Sequence, residues 1–327
     1  MIFRNTNFLF IREEIENNFK RSHLMLEPIF VDYLKKYNSG SLFTDISFLI
    51  KNNKSILYCP LTIENKDKKK ILNFFGESFF IICKNKTKEI IELFYNEIND
   101  ILLKEKIGEI NFLFQKKIEN FNLQNEINLS FFEKISNRKY IDLTLDLNSI
   151  EKNFSKGHKS AIKKRYEDLE YKVIDNSNYN NDILDMMKMH QTVSKKITRS
   201  RDTWLLNGEM IKNKNGLLIK VFYKKKNISS SLFFFNKDEA LYFSSCTDRN
   251  YFKDFINITH MSIYNSIKYL KNFGCKKLTL GDCKTHYSQK TISEKEKNIE
   301  KFKSSFGGNN YVNFHLKYLH QNFLNLF

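Results

Sequence analysis

Residues 216–246, GLLIKVFYKKKNISSSLFFFNKDEALYFSSC, determine how the second half of the chain is expected to fold. This stretch holds three apolar runs rich in β-branched and aromatic residues, separated by short polar segments: 216–223, 228–235 and 240–246. Such runs predict strands, and connections this short predict an antiparallel meander. A helical pattern follows at about 252–273, and Gly274 suits the left-handed residue that ends many helices.

The segments on either side of the meander complete an α/β lobe. Upstream, residues 141–147 alternate apolar and polar side chains, as a half-buried strand does. Asn148 or Ser149 can then cap a helix that runs to about Glu167. The other elements predicted here are strands at 171–174, 277–280 and 311–316 and helices at 182–196 and 293–303.

The first part of the chain predicts a second α/β lobe. Its pattern is a pair of strand-like segments joined by the turn residues Asn52 and Asn53, then a helix and another strand. These elements lie at 41–51, 55–63, 87–106 and 109–115.

The predicted fold class is α/β, with α+β mixed sheets in two lobes. The first lobe is expected to cover residues 1–139 and the second residues 140–316. Two prolines and ten glycines in 327 residues do not supply a linker rich in those residues, so the lobes are expected to pack together. The segment 317–327 is expected to pack back on the first lobe.

The composition favours a cytoplasmic protein. Its positive charge has two open explanations. The formal net charge of +17 suits a polyanionic partner such as RNA or an anionic surface. Only 8 of the 54 basic residues are arginine, and a composition rich in Lys, Asn and Ile is also what an AT-rich genome produces. The five scattered cysteines form no CxxC pair and the histidines are isolated, so neither disulfides nor a metal site is expected. No signal peptide or apolar run of about 18 residues is recognised, which favours a soluble chain.

The order of elements in the second lobe resembles the acetyltransferase (GNAT) fold, and three motifs are similar to its FemAB-like branch. A helix with a basic cluster follows the first strand, an aromatic strand ends in small residues and Asp, and a Phe-Lys element precedes Phe-Gly-Gly. These motifs are FSKGHKSAIKKR at 154–165, YFSSCTD at 242–248 and IEKFKSSFGG at 299–308. The resemblance implies two acetyltransferase-like lobes.

The resemblance implies that Lys303 lies at the reaction centre. A fixed ammonium there would stabilise the negative charge that develops on a carbonyl oxygen during aminolysis. Phe302 would shape the pocket, and Gly307 and Gly308 would allow close backbone approach to the acyl donor. The alternative for Lys303 is a surface lysine late in an amphipathic helix.

Two segments are candidates for binding the acyl donor and its phosphates. In the acetyltransferase fold the phosphates lie at the turn before the long helix, which here is Thr247, Asp248, Arg249 and Asn250. The Arg/Gln-Gly-x-Gly signature of acyl-CoA binding is absent from this turn, which weakens an acyl-CoA assignment. The second candidate is the basic helix, whose alternative is a solvated face and whose candidate residues are Lys159, Lys163, Lys164 and Arg165.

Candidate residues for the amine acceptor follow the aromatic strand and the strand at 277–280. Asp248 and Asp282 are the carboxylates that could accept a proton from the amine. An ordinary surface loop explains the segment at 281–290 equally well. The candidate acceptor residues are Tyr242, Asp282, Tyr287 and Lys290.

The function implied by the resemblance is transfer of an acyl or aminoacyl group to a primary amine without a covalent enzyme intermediate. Acyl-CoA or aminoacyl-tRNA would be the co-substrate, with no tightly bound cofactor and no metal. The amine would belong to a nucleotide-linked or lipid-linked precursor of the cell envelope or surface glycans. The alternative is a non-catalytic basic protein that binds RNA or makes peripheral contact with an anionic membrane, since residues 316–327 are amphipathic.

Overall fold

The computed structural model describes residues 1–4, 6–20, 22–117, 132–164, 166–175, 179–255, 258–284 and 292–318. Of the segment 317–327, expected to pack on the first lobe, residues 319–327 lie outside the described residues, while Lys317 and Tyr318 belong to a strand that pairs with residues of the first lobe. The helices are α1 Phe8–Phe19, α2 Pro28–Tyr37, α3 Lys88–Glu105, α4 Leu147–Lys152, α5 Lys156–Lys163, α6 Tyr179–Ser194, α7 Arg201–Lys212, α8 Ile258–Phe273 and α9 Glu294–Ser304.

Both lobes also contain strands, several of which follow one another without an intervening helix. They are β1 Ile2–Phe3, β2 Leu42–Asp45, β3 Phe48–Asn52, β4 Ser55–Cys59, β5 Thr62–Lys66, β6 Lys69–Asn73, β7 Ile82–Lys84, β8 Glu109–Lys117, β9 Phe132–Asp142, β10 Leu169–Ile174, β11 Gly216–Tyr223, β12 Lys226–Phe235, β13 Glu239–Thr247, β14 Lys277–Lys284 and β15 Asn309–Tyr318.

One sheet runs through both lobes. Eleven strands follow the order β10-β11-β12-β13-β14-β9-β15-β8-β6-β5-β2, while β1-β3-β4-β7 form a smaller sheet of four. The lobes meet where β15 pairs antiparallel with β8 on one side and with β9 on the other. Parallel pairs (β13–β14 and β6–β8) occur among antiparallel ones, so the predicted α/β class with mixed sheets is confirmed.

The predicted meander is confirmed, and its flanking strand is longer than expected. β11, β12 and β13 pair antiparallel in sequence order. β9 begins at Phe132, so the predicted lobe boundary between residues 139 and 140 falls inside a strand. The added segment carries polar side chains that are bonded across the sheet, and alternation of apolar residues therefore does not reveal it.

In the first lobe, each of the two predicted strands is divided between the two sheets. The turn at Asn52 and Asn53 is confirmed, with Asn53 at φ 52°. β4 ends before Pro60, which has no N–H to give to a ladder. On the partner segment, Asp45 ends β2 and its carboxylate accepts from the Ser47 amide at 3.0 Å.

Local caps move the predicted helix boundaries. Instead of one helix at 148–167 there are two, because Asp146 and Ser155 both cap a helix start through bonds to the amides of Ser149 and His158. α8 begins at Ile258 rather than near 252 and ends as expected before Gly274, whose φ is 101°. Helix α7, capped by Ser200, was not predicted.

Polar contacts join the two lobes beside their shared core. The Ser22 amide donates to the Asp238 carboxylate at 2.7 Å, and the Asn236 side chain donates to Glu27 at 3.1 Å. Lys276 pairs with the same Asp238 from the second lobe. Within the part of the chain that is described, no helix is both long enough and apolar enough to cross a lipid bilayer.

Candidate active site

The two central parallel strands of the second lobe separate half-way along their length. β13 and β14 pair from Glu239 and Lys277 only as far as Leu241 and Thr279, although both strands continue. The β12–β13 register shifts just where the pairing ends, which leaves Phe243 as an extra residue in β13. The result is a gap between the C-terminal halves of β13 and β14.

A second irregularity, at Gly281, brings Lys303 to this gap. Between Thr279 and Asp282 the β14–β9 register also shifts, and Gly281 takes a φ of 76°. A Cβ at Gly281 would lie 3.4 Å from Lys303 Nζ and 3.9 Å from the Tyr242 carbonyl oxygen. Lys303 Nζ therefore lies where the two strands part, and it donates to the Asp282 carbonyl oxygen at 3.1 Å.

The surroundings of Lys303 lower the pKa of its side chain. Burial lowers the pKa of the ammonium, Cys283 and Asp282 oppose that shift, and the charge of Arg138 adds to it. Helix α9, which carries Lys303, starts with a capping box between Ser293 and Glu296. Lys303 is therefore not the solvated surface lysine of the alternative interpretation.

Phe302 lies in a cluster of aromatic rings below Lys303. Its ring centroid is 5.1 Å from that of His260, 5.3 Å from Phe306 and 5.5 Å from His158. His158 Nε2 is 3.0 Å from the Phe302 carbonyl oxygen, and burial lowers the pKa of His158, which favours the neutral ring that donates to it. Phe302 thus anchors the end of α9 against α5 and α8.

Gly307 and Gly308 approach the protein's own backbone. Both have positive φ, 68° and 85°. A Cβ would lie 2.4 Å from the Asn153 carbonyl oxygen at Gly307 and 2.3 Å from the Tyr140 carbonyl oxygen at Gly308. The close approach predicted for these glycines is thus to the chain itself, beside a cavity of about 440 Å³ that includes Asp142.

The turn at 247–250 does not come together with Lys303. Thr247 is buried against Ser229, with 2.8 Å between the hydroxyl oxygens. The Asp248 carboxylate accepts from the amide of Asn250 at 3.1 Å, while Arg249 and Asn250 are exposed. Asp248 lies six residues beyond Tyr242, about 20 Å along an extended strand. Asp248 thus caps its own turn, pairs with Lys226 at 3.4 Å and is remote from Lys303.

The basic helix α5 turns its lysines away from the site. Lys163 and Lys164 are exposed, and Lys164 lies over the Tyr166 ring at 5.0 Å. Lys159 Nζ donates to the Lys152 carbonyl at 2.8 Å. Arg165 lies outside the described residues. His158 on the same helix contacts Phe302.

Asp282 is close to Lys303 but is not a free base. Its carboxylate is ion-paired with Arg138, accepts from Asn313 Nδ2 at 2.9 Å and lies 3.5 Å from His315 Nε2. Burial alone would raise its pKa, but the His315 hydrogen bond and the Arg138 charge outweigh burial and hold the pKa well below its usual range. Asp282 is therefore ionised at neutral pH and is not poised to take a proton.

The other candidate acceptor residues are only partly described. The Tyr242 ring packs on Phe233 at 5.2 Å and its hydroxyl donates to Ser245. Burial raises the pKa of Tyr242, so the hydroxyl is neutral. Tyr287 and Lys290 lie outside the described residues. Among the residues that are described, no group of three or more His, Cys, Asp or Glu side chains could hold a metal ion.

Sequence reasoning missed Arg199. Its guanidinium carbon lies 4.9 Å from the ring centroids of both Trp204 and Phe243, and Nη1 is 3.4 Å from Ser244 Oγ. No carboxylate of the described residues pairs with it. The sequence carries only a weak signal for it, an arginine just before the helix cap Ser200 in a chain whose cations are mostly lysine.

The overall fold has a counterpart among known structures. FemX superposes on this chain with a TM-score of 0.69 and 12% identity, over 98% of this chain and 97% of that one. The chain has the fold of FemX. The FemX fold confirms the predicted FemAB-like arrangement of two acetyltransferase-like lobes, and at this identity it establishes the fold alone.

A second structure supports the same architecture. A conserved protein of unknown function from Bacteroides thetaiotaomicron matches with a TM-score of 0.54 and 10% identity, over 97% of this chain and all of that one. No protein-family model and no curated protein matches the sequence. The case for a function therefore rests on the residues of the site within the FemX fold.

Proposed function

We propose that the chain is an N-acyltransferase that moves an acyl or aminoacyl group from a carrier to a primary amine. The observation that carries this proposal is the Lys303 ammonium, held where β13 and β14 separate. The FemX fold and the resemblance of IEKFKSSFGG to the FemAB-like element support it. Acyl-CoA or aminoacyl-tRNA would be the carrier.

The gap between the strands is suited to the acyl donor. Where a ladder ends, backbone N–H and C=O groups along the facing edges need other partners. An extended amide or ester chain can supply them, which would bring its carbonyl to the point where Gly281, Tyr242 and Lys303 meet. Because Gly281 has no side chain, the strand does not fill this point.

Acyl transfer at this point requires that the amine be positioned and that one positive charge be held in place. The amine nitrogen attacks the carbonyl carbon, and the Lys303 ammonium stabilises the negative oxygen of the tetrahedral intermediate. The bond from that carbon to the sulfur or oxygen of the carrier then breaks. The carrier leaves with the electron pair and takes up the proton that the amine loses. Since Asp282 is committed to Arg138, the amine would enter as the neutral base.

The amine acceptor would approach past Arg199. A guanidinium held between two rings and without a carboxylate partner in the described chain is suited to bind a phosphate or carboxylate. Arg199 reaches Ser244, two residues beyond Tyr242 on the same strand. This supports an acceptor that carries an anionic group, such as a nucleotide-linked or lipid-linked precursor of the cell envelope or surface glycans.

A thermal-shift screen tests the class of the carrier. The purified chain is heated with acetyl-CoA, longer acyl-CoAs, uncharged tRNA and aminoacyl-tRNA. A ligand at 100 times its Kd adds about 2.7 kcal/mol to the free energy of unfolding, which is readily measured. Stabilisation by one CoA ester, or by charged tRNA beyond uncharged tRNA, would support transfer and identify the carrier.

The same screen can contradict the proposal. Equal stabilisation by charged and uncharged tRNA, without transfer to any amine, would favour an RNA-binding protein. Binding to anionic vesicles alone would favour a membrane-surface protein. Either result, obtained without transfer to any amine, would refute the enzyme assignment, because an acyltransferase must move the acyl group from its carrier.

A further inference from the structure

The Asp282 side chain is held by two other strands of the large sheet. Arg138 on β9 pairs with Oδ1, and Asn313 on β15 donates to the same oxygen at 2.9 Å. His315, also on β15, lies 3.5 Å from Oδ2. Both carboxylate oxygens are thus engaged, and the Asp282 side chain is only 20% exposed.

The Asp282 backbone serves a different partner. Its carbonyl oxygen accepts from Lys303 Nζ, on helix α9. The residue lies just past the irregularity at Gly281, where β14 gains one residue relative to β9. Such bulges turn the following residues relative to the ladder, and their direction depends on what fixes the residue after the bulge. At this position that residue is Asp282.

The contacts continue into the first lobe. Asn313 Oδ1 accepts from Gln115 Nε2 at 2.6 Å, and Gln115 belongs to β8. The carboxylate that fixes the end of β14 is therefore itself oriented by the junction of the lobes. The hydrogen bond that links Lys303 to this arrangement goes to the carbonyl oxygen of Asp282.

We propose that Asp282 is a positioning residue for Lys303. Its carboxylate, fixed by Arg138 and Asn313, holds the bulge at Gly281 so that the Asp282 carbonyl stays on the Lys303 ammonium. Asp282 does not touch substrate in this scheme and takes no proton. The proposal rests on the proposed function in one respect, that Lys303 acts in catalysis.

Competitive labelling of lysines by an amine reagent over a range of pH tests the proposal without a substrate. The labelling profile of Lys303 gives its pKa and, at high pH, a limiting rate that reports access to the nitrogen. The charges of Cys283, Asp282 and Arg138 act on the pKa of Lys303, and Lys139 and Glu300 act on neighbouring Cys283. The limiting rate at high pH reports access to the nitrogen rather than these charges. Exposed Lys301 on the same helix serves as the internal standard.

Two variants separate the charge of Asp282 from its contacts. Asp282→Asn keeps an oxygen for Arg138, so the limiting rate at Lys303 should remain that of the wild type while its pKa falls. Asp282→Ala removes every side-chain contact, so the limiting rate should rise several-fold. Turnover should fall about 100-fold in Asp282→Ala, as expected for a displacement of about 1 Å, and stay within about threefold in Asp282→Asn.

A matched ion pair controls for a general loss of stability. Arg4 pairs with buried Glu97 in the first lobe, so Arg4→Met should destabilise the chain without changing the labelling of Lys303. If Asp282→Ala does not fold, Asn313→Leu removes one bond to the carboxylate and should shift the limiting rate in the same direction.

The outcomes distinguish this proposal from the proposed function. A folded Asp282→Ala with wild-type labelling and turnover would overturn the positioning role. Wild-type labelling in Asn313→Leu would also overturn it, should the alanine variant fail to fold. If Lys303→Met kept its turnover while Asp282→Ala still changed the labelling, the acyl-transfer site would be refuted and the positioning role would stand.

Discussion

Gly281→Ala is the substitution whose effect the structure specifies in most detail. The new methyl group would lie 3.4 Å from Lys303 Nζ, at ordinary contact distance, and would also face the Tyr242 carbonyl at 3.9 Å. The φ of 76° adds about 1–2 kcal/mol of strain for a residue with a Cβ. We expect a modestly less stable protein in which the methyl group occupies the point proposed for the donor carbonyl, with turnover reduced about 100-fold if the carbonyl is displaced by about 1 Å.

Gly274→Ala is the matched control. Gly274 also has a positive φ, 101°, but a Cβ there would meet no atom of the surrounding chain within 4 Å. Both variants should therefore lose similar stability in urea unfolding, while only Gly281→Ala should lose turnover, measured with the carrier found by thermal shift. Equal turnover in the two variants at equal stability would refute the claim that Lys303 acts at the parting of β13 and β14.

Three further predictions concern charge. Turnover should fall on the alkaline side with an apparent pKa below the ordinary lysine value of about 10.4, because the protonated Lys303 is the active form and its pKa is lowered; an alkaline limb above that value would contradict this. Arg199→Lys should raise KM for the acceptor about tenfold with little change in kcat, since it loses about 1.4 kcal/mol of ring and bidentate contacts; an unchanged KM would exclude Arg199 from acceptor binding. Asp238→Asn should cost about 2 kcal/mol of unfolding free energy near pH 7. The pKa of Asp238 is lowered in the folded state, because its bonds to Lys276 and Ser22 outweigh burial. The difference from wild type should therefore vanish as the pH falls below about 4 and through that lowered pKa, and a constant difference would contradict it.

Local patterns were sufficient to predict much of the second lobe. The three strands of the meander, the glycine that ends α8 and the helix that carries Lys303 all depend on residues close together in the sequence. The Phe-Lys element within IEKFKSSFGG indicated Lys303, and the structure puts that lysine at the gap. Periodicity, caps and short motifs indicate structure that depends on residues close together in the sequence.

What the sequence did not reveal depends on distant partners. Arg138 and Asp282 are 144 residues apart, and the sequence around neither residue indicates that they pair. The polar start of β9 is stable as a strand only because its neighbours on β14 and β15 bond to it. The motif made Asp248 a candidate base, but it lies about 20 Å along the strand from Tyr242 and therefore far from Lys303.

Single-turnover transfer by Lys303→Met tests the central claim most directly. Lys301→Met, an exposed lysine two residues away on the same helix, is the control. With the loaded carrier saturating, the rate for Lys303→Met should fall about 100-fold to 1,000-fold, the loss expected on removing one stabiliser of the negative oxygen, while Lys301→Met stays at the wild-type rate. Carrier affinity and unfolding temperature should be unchanged in both. A Lys303→Met protein that transfers at the wild-type rate would contradict the account.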